Sequence, residues 1–169
     1  MPYVMVDIEA DGPIPGDYSM IALGAVVVEP GLESRFRILI RPISDRFIAD
    51  ALAVSGFTRE ECFGPDFADG ATAMEAFARW VEEHATPRPM FVSDNNGFDW
   101  MFVAWYFHHF LGHNPFGHSS TNLGSLYKGL ARDMRKSFKR LRETPHTHDP
   151  LDDAIGNTEA MLKILEQMR

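Results

Sequence analysis

Apolar positions open the chain in a strand-like run, residues 3–8, short and β-rich enough for a buried central strand. A turn-rich stretch from Asp11 to Asp17 follows, holding Gly12, Pro13, Pro15 and Gly16. Residues 20–28 and 35–41 read as two more strands, joined at a Pro30-Gly31 turn. Three early strands with short connections predict an antiparallel meander. The period then lengthens. Over residues 71–84, Met74, Phe77, Ala78 and Val81 recur at the three-and-four spacing of a core-facing helix, which Pro87 and Pro89 end. Residues 90–92 form a fourth short strand, and 98–111 a second, aromatic-rich helix closed near Gly112. Residues 113–122 are loop-like with room for a short strand, and a last helix covers about 150–168. Strands first, then helix–strand–helix, predict an α/β fold with a mixed sheet and helices packed on it.

Composition narrows the setting. The 169 residues, 45% hydrophobic and 24% charged, fit one soluble domain over 1–169. No apolar run approaches bilayer length, and no basic segment precedes an apolar signal core. Cys62 is the single cysteine, which rules out an internal disulfide and fits a reducing cytoplasm as the expected location. The net charge of −8 argues against a nucleic-acid partner until its distribution is considered. Lys128, Arg132, Arg135, Lys136, Lys139, Arg140 and Arg142 crowd into one stretch. That strip is either a solvated helix face or a local phosphate-binding surface.

Three acidic features bear on chemistry. Asp7 and Glu9 close the first strand and, with a period of two, share a face. Neighbouring carboxylates repel, and a hard divalent cation relieves that repulsion; two acids facing water are the plain alternative. Asp99 stands at the start of the second helix, where the helix dipole alone favours an acid, and Asp94, Asn95 and Asn96 are available as caps. The segment HTHDPLDDAIGNTEAM is more discriminating. Asp149 suits the N-cap, Pro150 the first helical position, and Asp152 a reciprocal cap. The apolar stripe runs through Leu151, Ala154, Ile155, Thr158, Met161, Leu162 and Leu165. Asp153 falls on its flank, able to point towards the sheet, whereas Asp152 faces water.

The succession DIEADG, then NNGFD, then His148 with Asp153 five positions on, resembles the three exonuclease motifs of the DEDD superfamily, in its histidine-containing branch. The resemblance runs from Asp7 to Asp153 and takes in MIALGAVVV as the second strand. It implies a ribonuclease-H-like fold and a 3′–5′ exonuclease releasing nucleoside 5′-monophosphates. By this resemblance Asp7, Glu9, Asp99 and Asp153 hold two Mg²⁺ or Mn²⁺ ions, with Asp7 touching both, and the ions clamp the scissile phosphate. His148 is the implied general base, and an imidazole's ordinary pKa of about 6.5 suits that task near neutral pH. Backbone groups of Ala10, Asp11 and Gly12 are implied to approach the terminal nucleotide. The basic strip directly precedes His148, a position that suits Arg135, Lys136, Lys139 and Arg140 to guiding phosphates. The chain departs from the family where threonines are usual (Ala10, Asp11), at an acid of the second strand (Ala22) and at a histidine before the second motif (Asp94).

Other residues carry competing readings. His146 and His148 form an H-x-H pair able to bind a transition metal, or His146 is an exposed loop residue. Trp100, Phe102, Trp105, Tyr106, Phe107 and Phe110, beside His108 and His109, offer more apolar surface than one helix face needs. Core packing and a homodimer interface would absorb it; base stacking is the alternative. Phe116 and His118 could line a nucleotide pocket. The expected partner is single-stranded nucleic acid, RNA or short oligonucleotides ahead of DNA, with a non-catalytic binding module as a third reading.

Overall fold

In the computed structural model, which describes residues 2–168, the first strand runs past its apolar core. β1 spans Tyr3–Ala10, so Asp7 and Glu9 lie within a strand. β2 (Met20–Val27) is buried along its whole length and pairs antiparallel with β1 and with β3 (Arg35–Leu39). On the other side of β1 lie β4 (Met90–Ser93) and then β5 (Ser120–Asn122), both parallel. The order β3-β2-β1-β4-β5 is the expected mixed sheet, a meander extended by parallel strands.

Alternation along β1 divides the core in two. Val4, Val6 and Ile8 face α2 (Gly70–His84) and α3 (Asn96–Leu111), meeting Phe77, Phe102, Tyr106 and Phe107. Met5 faces the other way, towards α4 (Leu123–Ala131) and α5 (Pro150–Gln167), with Leu123, Tyr127, Met161 and Ile164. Helices on both faces are what a sheet buried on both sides requires. The first of these layers takes up the aromatic surplus: Phe77 stacks on Phe107 with 5.5 Å between ring centroids. Trp100, Trp105 and Phe110 pack partly on it. Phe116 belongs here too, edge-on to Phe91 at 5.4 Å and buried in this layer.

Two helices escaped the periodicity. α1 (Ala49–Val54) is only six residues long and leaves Val54 exposed. α4 carries Gly124 and Gly129, which dilute its stripe. It ends at Arg132 in the left-handed region, so of the basic strip only Lys128 lies on a helix face. The rest follow in turns and a 3₁₀ turn, Lys139–Leu141. Neither do Asp94, Asn95 or Asn96 cap α3: Asn95 occupies the cap position without a side-chain bond, and Asn96 donates to Ser120 instead. Among the described residues no helix is long and apolar enough to cross a membrane.

The start of α5 is the part of the fold that positions chemistry. Asp149 caps it by accepting from Leu151 N at 3.0 Å, and Arg37 of β3 ties that cap to the sheet at 2.8 Å. The reciprocal cap does not form: Asp152 accepts from the Thr147 hydroxyl, and Asp149 N donates to that same hydroxyl. In the β1–β2 register Asp7 lies opposite Gly24 and Glu9 opposite Ala22. A Cβ on Gly24 would fall inside the backbone of Pro150 and Leu151. Glycine and alanine at these sites thus let the end of α5 lie directly over the sheet. Gly24→Ala is expected to cost about 1–3 kcal/mol in chemical denaturation and to depress activity by displacing α5. Unchanged stability and activity would show that this close approach is unimportant.

Candidate active site

Four predicted acids converge. Asp7 and Glu9 project from β1 on the α5 side, where Asp153, 1% exposed, reaches them from the first turn of α5. Carboxylate oxygens of Asp7, Glu9 and Asp153 all lie within 4.8 Å of one another. A second trio, Asp7, Asp94 and Asp99, meets the same limit, so Asp7 belongs to both. Asp99 comes from the first turn of α3, is 2% exposed, and its Oδ2 has no hydrogen-bond partner among the described residues. An orphaned carboxylate oxygen is costly in a protein interior unless a cation meets it. Asp7, Glu9, Asp94 and Asp99 border a cavity of about 350 Å³ that also receives Lys139, Arg142 and His146.

Electrostatics reflect the crowding. Burial pushes the Asp7 carboxyl well above its ordinary value, and the charges of Asp99, Asp94, Asp153 and Glu9 push further. Glu9 rises to about 7, chiefly through burial, then through Asp153 and Asp149. Burial also raises Asp99, with Asp94 adding to it, although bonds from Ser93 and the Ile8 amide pull the other way. Because the folded values exceed the unfolded ones, the folded chain holds more protons than the unfolded chain between them. In EDTA, stability should therefore fall as pH rises from about 4.5 through 7, with Glu9 alone accounting for roughly 3 kcal/mol. Divalent cations should flatten or reverse that slope. A melting temperature in EDTA that climbs between pH 5 and 8 would contradict the crowding.

Asp153 is held from several directions. Its Oδ1 accepts from Arg142 Nη2 and lies near His146 Nδ1, both at 2.7 Å, while Oδ2 accepts from His148 N at 3.1 Å. Arg142 is itself buried and fills the space a Cβ on Gly156 would need. Glu159 accepts from Glu143 N and Thr144 N, both at 2.7 Å, which clamps the preceding segment to α5. His148 emerges from that segment with φ +63°, half-exposed, its Nδ1 3.7 Å from Glu9 Oε1 and its ring 4.2 Å from that of His146.

The predicted substrate residues divide. Lys139 lines the acidic cavity and also an adjoining one of about 530 Å³, which Lys128, Arg135 and Lys136 border and which shares Asp94 and Asn95 with the first. Arg140 borders neither and donates instead to the Tyr127 hydroxyl at 3.1 Å. Ala10, Asp11 and Gly12 lie outside both linings. The Asp11 N–H donates to the Ser19 carbonyl, and the Asp11 carbonyl accepts from Ile48 N. Its buried carboxylate anchors Arg59 at 2.7 Å, and Tyr18 covers Gly12. His118 is exposed and borders neither cavity. Sequence reasoning missed Arg142 and Asp94 as members of the cluster, whereas the H-x-H pair it offered does meet Asp153, with ligand atoms of His146, His148 and Asp153 all within 4.8 Å of one another. Only a glycine inside α5, Gly156, signalled a close approach there.

No protein-family model matches the chain. A 3′–5′ DNA exonuclease of Escherichia coli, Cap18, is 39% identical over 180 residues, covering 98% of this chain and 92% of the relative. Among solved structures, the nuclease domain of 3′hExo, a DEDDh family member bound to rAMP, superposes with a TM-score of 0.77 at 18% identity, over 98% of this chain and 92% of that one. E. coli Exonuclease I with a dT13 oligonucleotide gives 0.74 at 16% identity, with 98% of this chain covering 41% of the larger protein. With that relative spanning nearly the whole chain, and the acids and histidine of the three motifs gathered at one site, the chain belongs to the DEDDh family of 3′–5′ exonucleases.

Proposed function

We propose that the chain removes nucleotides from the 3′ end of single-stranded DNA by a two-metal mechanism. The observation that carries this reading is the pair of carboxylate trios sharing Asp7, with His148 at their rim. The ligand set fits hard divalent cations: oxygen donors only, one of them a buried orphan on Asp99. Asp7, Glu9, Asp99 and Asp153 would hold two Mg²⁺ or Mn²⁺ ions, with Asp7 common to both. Such ions, when bound, stabilise the attacking and leaving oxygens of an in-line displacement at phosphorus.

The chain's own groups do the rest. His148 takes a proton from the attacking water as general base. Glu9 Oε1 lies 3.7 Å from Nδ1 on one side of the ring, leaving Nε2 for the exchange. Arg142 and the His148 amide hold Asp153 in register with β1. Lys139, Arg135 and Lys136 receive the phosphates of the strand as it leaves the acidic cavity. A homodimer remains part of the proposal, with the part-exposed Trp100, Trp105 and Phe110 of α3 as its surface.

DNA ranks ahead of the RNA expected from sequence because the relative covering nearly the whole chain is named for DNA. RNA keeps support from the family member bound to rAMP. Matched 5′-labelled single strands of DNA and RNA, incubated with Mg²⁺, Mn²⁺ or EDTA, should give a metal-dependent ladder shortening from the 3′ end, faster on DNA. A faster RNA ladder would reverse the substrate choice, and no ladder from either would sink the mechanism.

A further inference from the structure

Asp94 stands where β4 gives way to α3, and its position is fixed from behind: Asn122 Nδ2 donates to its backbone carbonyl at 2.8 Å. Its carboxylate is placed differently from those of its neighbours. Asp149 is bound by Arg37, Asp153 by Arg142 and Asp11 by Arg59. Among the described residues, no hydrogen bond or ion pair engages the Asp94 side chain. Yet one of its oxygens lies within 4.8 Å of oxygens from both Asp7 and Asp99. The Asp99 carboxylate facing it is buried and has an oxygen without a partner. Three acids held that close, one of them orphaned, become a favourable arrangement when a cation sits among them.

We propose that Asp94 is a fifth carboxylate of the metal centre, a direct ligand of the cation that Asp7 and Asp99 hold. This rests on the reading of Asp7, Glu9, Asp99 and Asp153 as ligands. It divides the centre evenly: Asp7, Glu9 and Asp153 serve one cation, and Asp7, Asp94 and Asp99 serve the other. A cation with three protein carboxylates needs no substrate phosphate to complete its hold. Both cations therefore bind before nucleic acid does. Among the described residues Lys139 is the one cation that shares both cavity linings with Asp94, and it is the competing partner for this carboxylate.

Calorimetric titration of the full chain with Mn²⁺, without nucleic acid, tests this directly. The unaltered chain should take up two ions. Asp94→Asn should keep one at its original affinity and bind the other about 10–100-fold more weakly. Melting in EDTA should rise in Asp94→Asn as like-charge repulsion is relieved, which also shows that the variant is folded. Asp94→Ala, lacking any polar group there, should show the same selective loss. Two ions bound by Asp94→Asn with unchanged affinity would overturn the proposal and assign Asp94 to Lys139. Asp7→Ala serves as the control: it should lose both ions. If it too binds like the unaltered chain, the whole ligand reading fails and not the role of Asp94 alone.

Discussion

Asp7→Ala is expected to abolish metal-dependent cleavage and, in EDTA above neutral pH, to raise the melting temperature. Both effects come from one position. Asp7 is the only acid common to the two carboxylate trios, so removing it dismantles both at once. Without metal the same carboxyl is driven upward by burial and by four neighbouring acids, which means that its charged form opposes folding. The side chain sits opposite Gly24, where alanine fits a strand without new contacts. Cleavage of a 5′-labelled strand and thermal melting of the same sample check the two halves together. Retained cleavage would remove Asp7 from the centre, and a collapsed fold would make the residue structural.

His148→Ala is expected to slow turnover by about 10²–10⁴-fold, the usual worth of a positioned general base. Mn²⁺ affinity should change far less than turnover, because the hydrogen bond from His148 to Asp153 is made by the backbone amide and survives the substitution. The decisive readout is the pH–rate profile. A base that must lose its proton gives an ascending limb, and that limb should vanish in the variant. His146→Ala separates the two imidazoles: its Nδ1 contacts Asp153, and its loss should alter metal affinity more than the pH profile. If His148→Ala keeps the ascending limb, another group is the base.

The strands and the last helix were readable because each follows one period cleanly, and because β2 is apolar from end to end. α4 was hidden by its two glycines and by a charge run that begins inside it and continues through turns. The acids of the centre were readable from their order along the chain, but their mutual distances were not, since three separate elements deliver them. Arg142 looked like one cation among seven. Its partner on Asp153 is a contact between residues 11 apart on different elements, which no periodicity encodes. Asp11 has a second role that its place directly after the motif does not signal: its buried carboxylate serves Ser19 and Arg59 as scaffolding.

The backbone of His148 has a consequence for how such an enzyme ages under selection. At φ +63° an L-residue carries a conformational cost of roughly 1–2 kcal/mol that glycine escapes. The bond that its amide donates to Asp153 Oδ2 holds the residue there. The imidazole therefore occupies the spot along this segment where the chain would be most at ease without any side chain. Endurance and turnover pull in opposite directions at this one position, and a lineage screened for heat resistance alone would drift towards losing its base.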